Sequence, residues 1–423
     1  MDALTAQERA VLQAHAVDSA VALVAGAASP EGRELAGLRA QPSLAAEQAA
    51  LAAAIIRSTE VDDIHIESCV TPTSVAMPAA FLAMPEPQGD VENALRIAVE
   101  LSVRMGLAIE GPHALYRGIW PTCLATPFAV AAALCRLSKL DEAHTIQALS
   151  LALMMSSGRI GKFSGQPTGR WIILNAAFVT GVRAVDAARH RFKGDSTLLD
   201  GPWLENAIGF APRVDALTEN LPRSLALQGL GLKPFSTARQ ALSPTQALMD
   251  VLSEGLDPHN IDSIDVFVPQ AYAAMISRPL EPYRSSTYSN VAFQMALAAL
   301  RPDQLLDLDR SSVINDPAIL HFMKRIRVSA DENLQADYPR IWGGEVHVHH
   351  RGGTVKKRVL TPRGDANCRL SEAALQTKHQ RLLTDALGIV EGQNALDVLN
   401  VLLSAPQPAR VLMQKSLSLP ALG

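Results

Sequence analysis

The strongest constraint in this 423-residue sequence is an alanine-rich helical period that recurs through its first half. Between Thr5 and Lys193, apolar residues return every three or four positions, in runs separated by proline and glycine. Residues 16–25, 43–57, 91–105, 127–137, 141–155 and 174–189 therefore read as amphipathic or buried helices. Alanine orders at little entropic cost and lets helix backbones approach closely. With 48% apolar residues and only 4% aromatic ones, the sequence implies a tightly packed, largely helical interior and excludes disordered or collagen-like character. Asp141 stands where a helix N-cap belongs. The Pro/Gly clusters at 71–78, 85–89, 111–121 and 158–169 read as loops, the places where a rigid frame carries function.

The pattern changes after Pro202. Residues 261–269, "IDSIDVFVP", alternate apolar with polar as a strand does. Residues 326–329 read as a second strand, and 344–350 with 354–360 as a hairpin turned by the "RGG" of 351–353. Helices fit at 243–254 and 291–300, and the tail, 371–403, returns to the helical period. The expected fold class is mainly α with an α+β second domain. The helical domain spans 1–200 and is completed by 370–423, and the α+β domain spans 201–369.

Charge and cysteine usage narrow the function classes. Lys and Arg number 38 against 42 Asp and Glu, a net charge of −4, which argues against a nucleic-acid-binding surface. Cys69, Cys123, Cys135 and Cys368 lie far apart with no CxxC pair, so they read as reduced, mostly buried thiols. The N-terminus lacks the layout of a signal peptide. No apolar run reaches the ~20 residues of a membrane span. A cytoplasmic protein with neither nucleic-acid nor membrane partners is expected.

Four segments carry candidate chemistry. In "EVDDIHIESC", Glu60, Asp62, Asp63, His65 and Glu67 crowd the end of an alanine-rich helix, as an acid/base group or as a solvated helix end. The glycine-rich loop 158–170 carries Arg159, Lys162 and Arg170 and runs into a helix. It reads either as an anion-holding loop or as a plain connection, and it lacks the P-loop order. Lys233 and Arg239 flank a turn before a helix, where two fixed cations suit a polycarboxylate, or are simply solvated. His347 and His349 share a strand face while His350 points away. With no acidic third ligand, they read as exposed hairpin residues and not as a metal site. No GxSxG, HExxH or strand-flanked GxGxxG occurs.

Taken in order, "VDDIH", "TPTSVAMPAA", "RGIWPTCLATPFAVAAALCRL", "NAAFVTGV", "LKPFSTARQALSP", "IDSIDVFVP", "ADYPRIWGGEVHV" and "TPRGDAN" resemble the MmgE/PrpD family, over residues 16–381. That family includes 2-methylcitrate dehydratase, cis-aconitate decarboxylase and iminodisuccinate epimerase. The resemblance implies a large helical domain, a smaller α+β lid, an active site in the cleft between them and a homodimer. It also implies cofactor-free lyase chemistry, with no metal, on a small di- or tricarboxylate. A base removes a proton next to a carboxylate, and cations meet the developing charge.

Lys233 matches the lysine of the family's "KPxxxxR" segment, and Asp62 and Asp63 match its acidic pair, with Glu60 near a further acidic position. Ile64 replaces a threonine, Thr71 and Trp120 stand where the family carries histidines, Ala238 where some members have another, and Phe293 falls near a tyrosine position. The expected catalytic residues are thus Lys233, Asp63 and His65, whose imidazole stands beside Asp63. The expected substrate-binding residues are Asp62, Glu60, Thr71, Trp120, Lys162, Arg170, Arg239 and Phe293. Dehydration leads narrowly over decarboxylation. An epimerase or isomerase of the same family, or a degenerate member that binds without turnover, is the alternative.

Overall fold

A computed structural model describes residues 3–37, 45–87, 89–158, 169–221, 223 and 226–418. The chain divides into two compact units, Met1–Leu230 with Leu383–Gly423, and Gly231–Leu382. The fold is mainly α with an α+β second unit, as the patterning implies.

The first unit is a stack of helices whose close approach rests on alanine. In the helix Ala45–Ser58 every residue from Ala49 onward is buried, six of the ten being Ala or Ser. The helix Ala6–Ala28 is buried from His15 through Ala27. Both pack against one another, and Val91–Ala108 and Gly169–Arg189 pack in turn around Pro121–Leu137. Asp141 does cap the helix Glu142–Met154, accepting the His144 N–H at 2.8 Å. The unit runs past residue 200, where the sequence changes character, because buried Arg104 donates to the carbonyls of Ala216, Leu217 and Glu219. Glu100, paired with Arg104 at 2.8 Å, accepts the Ala226 N–H.

Two segments expected as loops are helical. Residues 71–78 enter the helix Thr73–Phe81, and residues 111–121 hold the short helix Gly111–Tyr116 and the start of Pro121–Leu137. Pro72, Pro112 and Pro121 stand at helix starts, where the missing N–H costs nothing and the fixed φ suits the first turn. Two helices, Ala6–Ala28 and Gly169–Arg189, are long and apolar enough to cross a membrane by length and composition, which exceeds the reading from apolar runs alone. The first has 78% of that window buried inside the protein, as a core helix does, and the second 39%.

Six strands occur among the described residues: β1 (Asp63–His65), β2 (Leu230–Leu232), β3 (Ile261–Val268), β4 (Ile326–Ala330), β5 (Gly344–His350) and β6 (Gly353–Val359). In the second unit the sheet order is β4-β3-β5-β6, with β3 and β4 parallel and the other pairs antiparallel. Ile264, Val266 and Val268 of β3 and Val346 and Val348 of β5 are buried, and the helix Arg239–Ser253 packs on β5 and β6. The hairpin closes with His350 opposite Gly353, leaving Arg351 and Gly352 as its turn.

The loop after β6 depends on one glycine. Gly364 has φ +97°, its N–H donates to Cys368 O and its carbonyl accepts the Leu232 N–H, both at 2.7 Å. A Cβ there would overlap the Leu232 carbonyl oxygen. Gly364→Ala therefore combines a left-handed backbone with a clash and should cost about 1–3 kcal/mol. The urea midpoint should fall, and an unchanged midpoint would show that this loop is not held as described.

Candidate active site

In the first unit the acidic segment is buried apart from Glu67, which is exposed, so most of it is not a solvated helix end. Glu60 is 5% exposed, Asp62 and Asp63 0% and His65 7%. The segment folds tightly because Glu60 and Cys69 take left-handed backbones, φ 54° and 53°, and His65 N–H donates to Val70 O at 2.9 Å. Non-glycine residues adopt that conformation at a cost of about 1–3 kcal/mol each, so surrounding contacts must hold them there.

Those contacts centre on Arg57, which the sequence reading passed over. Its guanidinium donates to Asp62 at 2.6 Å and to Glu60 at 3.0 Å. It also lies 5.4 and 5.5 Å from the ring centroids of Trp120 and Trp171. Burial opposes its charge, but the two carboxylates outweigh that and hold it above the ordinary arginine range. Arg170 reaches Glu60 at 3.2 Å and stacks 4.1 Å over Trp171. Glu60, Asp62, Arg170 and Trp120, four residues from three sequence segments, thus meet around Arg57. Lys162 lies outside the described residues, as does Arg159.

Asp63 turns the other way. Its carboxylate accepts the N–H of Thr73 at 3.3 Å and the Thr73 hydroxyl, capping the helix Thr73–Phe81. His15, from the first helix, approaches the same carboxylate through Nδ1 at 3.2 Å. Thr71 lies two residues before Thr73. Its N–H donates to the Thr122 hydroxyl at 3.2 Å, and the two hydroxyls stand 3.3 Å apart. The positions of Thr71 and Trp120, read as substitutes for imidazoles, are therefore joined through the first turn of Pro121–Leu137.

His65 sits in a closed environment. Its Nδ1 accepts the Ser68 N–H at 3.2 Å, and its Nε2 edge packs on Gly229, where a Cβ would overlap it. Burial outweighs the pull of Glu100 and Asp63 and pushes its pKa down to about 4. Burial also pushes the Cys69 thiol up to about 12 and the Cys135 thiol up to about 11, and all four cysteines are free.

In the second unit, Lys233 is 2% exposed, and Arg239 is held by Asp365 at 2.9 and 2.5 Å, with Ser243 Oγ and the Trp342 carbonyl on its remaining nitrogen. This bidentate pair, neither solvated nor open at a helix entrance, locks the 364–368 loop to the helix Arg239–Ser253. Phe293 is fully buried in the helix Val291–Leu300, its N–H capped by Asn290. On the sheet, His347 pairs with Glu345 at 2.7 Å and His349 with Asp265 at 2.9 Å. The acidic neighbours that the sequence reading missed are thus present. Among the described residues no group of three or more His, Cys, Asp or Glu is arranged to hold a metal ion.

His15 and Arg57 are the residues that sequence reasoning missed. Each is a polar side chain within the buried stretch of an alanine-rich helix, and that placement was the available signal.

The chain matches the MmgE/PrpD N-terminal domain over residues 2–213 and the MmgE/PrpD C-terminal domain over residues 235–402. Among curated proteins, none matches it.

His65 makes stability depend on pH. Its ordinary value of 6.5 applies unfolded, and the folded value is about 4. Between the two, the unfolded chain binds the extra proton, so stability falls as pH drops from 6.5 toward 4 and is level above. His65→Asn keeps an acceptor for Ser68 and should flatten that slope in a series of melting temperatures. A slope as steep as the unaltered protein's would assign the acid sensitivity elsewhere.

Proposed function

The chain belongs to the MmgE/PrpD family, and from that premise we propose that it is a lyase acting on a small di- or tricarboxylate by removing a proton next to a carboxylate. The observation that carries this reading is the match to both family domains, over residues 2–213 and 235–402. The chemistry needs an acid/base group and fixed positive charge facing the charge that develops in the transition state. Asp63 belongs to the first, and Lys233 and Arg170 supply the second. Dehydration is the leading reaction, ahead of decarboxylation and epimerisation. The same reading gives a homodimeric, cytoplasmic enzyme that uses neither a metal nor an organic cofactor.

A second reading is a member that binds a carboxylate without turnover. It is favoured by Thr71 and Trp120 at two imidazole positions, and by the spending of Arg57, Arg170 and Arg239 on Glu60, Asp62 and Asp365.

Incubation with a panel of di- and tricarboxylates in heavy water, followed by proton NMR, separates the two. Deuterium exchange or product formation is expected, and Lys233→Ala should lower the rate by roughly 10²–10³-fold. Thermal stabilisation by a carboxylate with no exchange would establish the binding protein instead. Light scattering should return the mass of two chains, and a single-chain mass would overturn the dimer.

A further inference from the structure

Among the buried polar atoms of the helix Ala6–Ala28 that have no hydrogen-bond partner among the described residues are His15 Nε2 and Ser19 Oγ. Both side chains are buried, at 1% and 0% exposure. They stand four residues apart, so they occupy one face a single turn apart. A buried polar group left unpaired costs about 1–3 kcal/mol, and two together on one turn of an alanine-rich helix ask for a reason.

The other side of the same imidazole is tied down. Asp63 accepts from Thr73 N, from the Thr73 hydroxyl and from His15. A carboxylate that accepts all its contacts obliges the imidazole to donate through Nδ1, so the hydrogen-bond network assigns the Nδ1–H tautomer. Nε2 then carries the lone pair, oriented by a carboxylate that is itself fixed at a helix start. Nucleophile- and proton-handling sites use this arrangement, in which the carboxylate sets ring orientation and tautomer.

We propose that His15 is the group that moves the substrate's proton, that Asp63 is its positioning carboxylate, and that the Ser19 hydroxyl hydrogen-bonds the same substrate. This rests on the lyase reading above and names the residue that performs its central step. The C–H bond next to a carboxylate breaks, and its proton forms the Nε2–H bond of His15. The electron pair passes to the carbon framework, forming the double bond as a neighbouring C–O bond breaks. The departing hydroxide takes the proton from the imidazolium and leaves as water, returning His15 to its starting state. In heavy water, return of a deuteron to carbon in place of elimination gives exchange.

The full-length protein, labelled with 15N-histidine, is examined with and without citrate, and exchange is followed over the carboxylate panel. His15→Asn, which keeps a donor toward Asp63, identifies the His15 signals. Citrate should move the His15 ring nitrogens and leave those of His65 in place. His15→Asn should slow exchange at least 100-fold with its fold intact, and Ser19→Ala should slow it less. Asp63→Asn should shift the His15 tautomer and the pH profile of exchange together. A folded His15→Asn variant with wild-type exchange overturns the assignment while leaving the lyase reading standing. His15 nitrogens that ignore citrate and every substrate that exchanges overturn it as well. A wild-type protein that exchanges no member of the panel overturns both.

Discussion

The helical unit's site is organised by one buried cation. Arg57 sits between Glu60 and Asp62 and faces two indole rings, and each partner is placed by that contact. Taking a guanidinium out of water costs several kcal/mol, which only well-placed carboxylates and aromatic faces offset. Removing one partner of such a pair costs roughly 3–5 kcal/mol, because the remaining charge stays buried. The left-handed Glu60 is tolerated on this account, since its side chain reaches both Arg57 and Arg170. With Asp62 committed to Arg57, its neighbour Asp63 is left for Thr73 and His15. Adjacent aspartates thereby acquire different partners, Arg57 for one and Thr73 with His15 for the other.

The second unit repeats the device on a smaller scale. Arg239 and Asp365 neutralise each other in its interior, and Gly364 supplies the backbone that brings Asp365 there. Lys233 and His15 are both buried titratable side chains, one in each unit.

Much of the architecture was legible. The helical period marked the cores of the long helices, Asp141 marked a start, and strand alternation located β3, β4 and the β5–β6 hairpin to within a residue or so. The two segments misread as loops each hold a proline at a helix start. At Pro72, Pro112 and Pro121, composition alone does not distinguish a residue that ends one helix from a residue that begins the next. The acidic segment was recognised as unusual, but its burial was not, because carboxylates at a helix end are ordinarily solvated.

What the sequence determined by itself is the family, the helical and α+β division and the list of polar residues worth asking about. Periodicity and motif order are local properties, and they survive without coordinates. Tertiary structure alone decided which of those residues meet. His15 lies 48 positions from Asp63 and Arg239 126 from Asp365, separations across which no spacing rule operates. It also decided that His65, the nearer imidazole in sequence, is closed against Ser68 and Gly229, while the distant His15 turns a free nitrogen away from its carboxylate. Hydrogen-bond direction and burial arise only when the helices pack, so proximity along the chain does not by itself distinguish the two histidines.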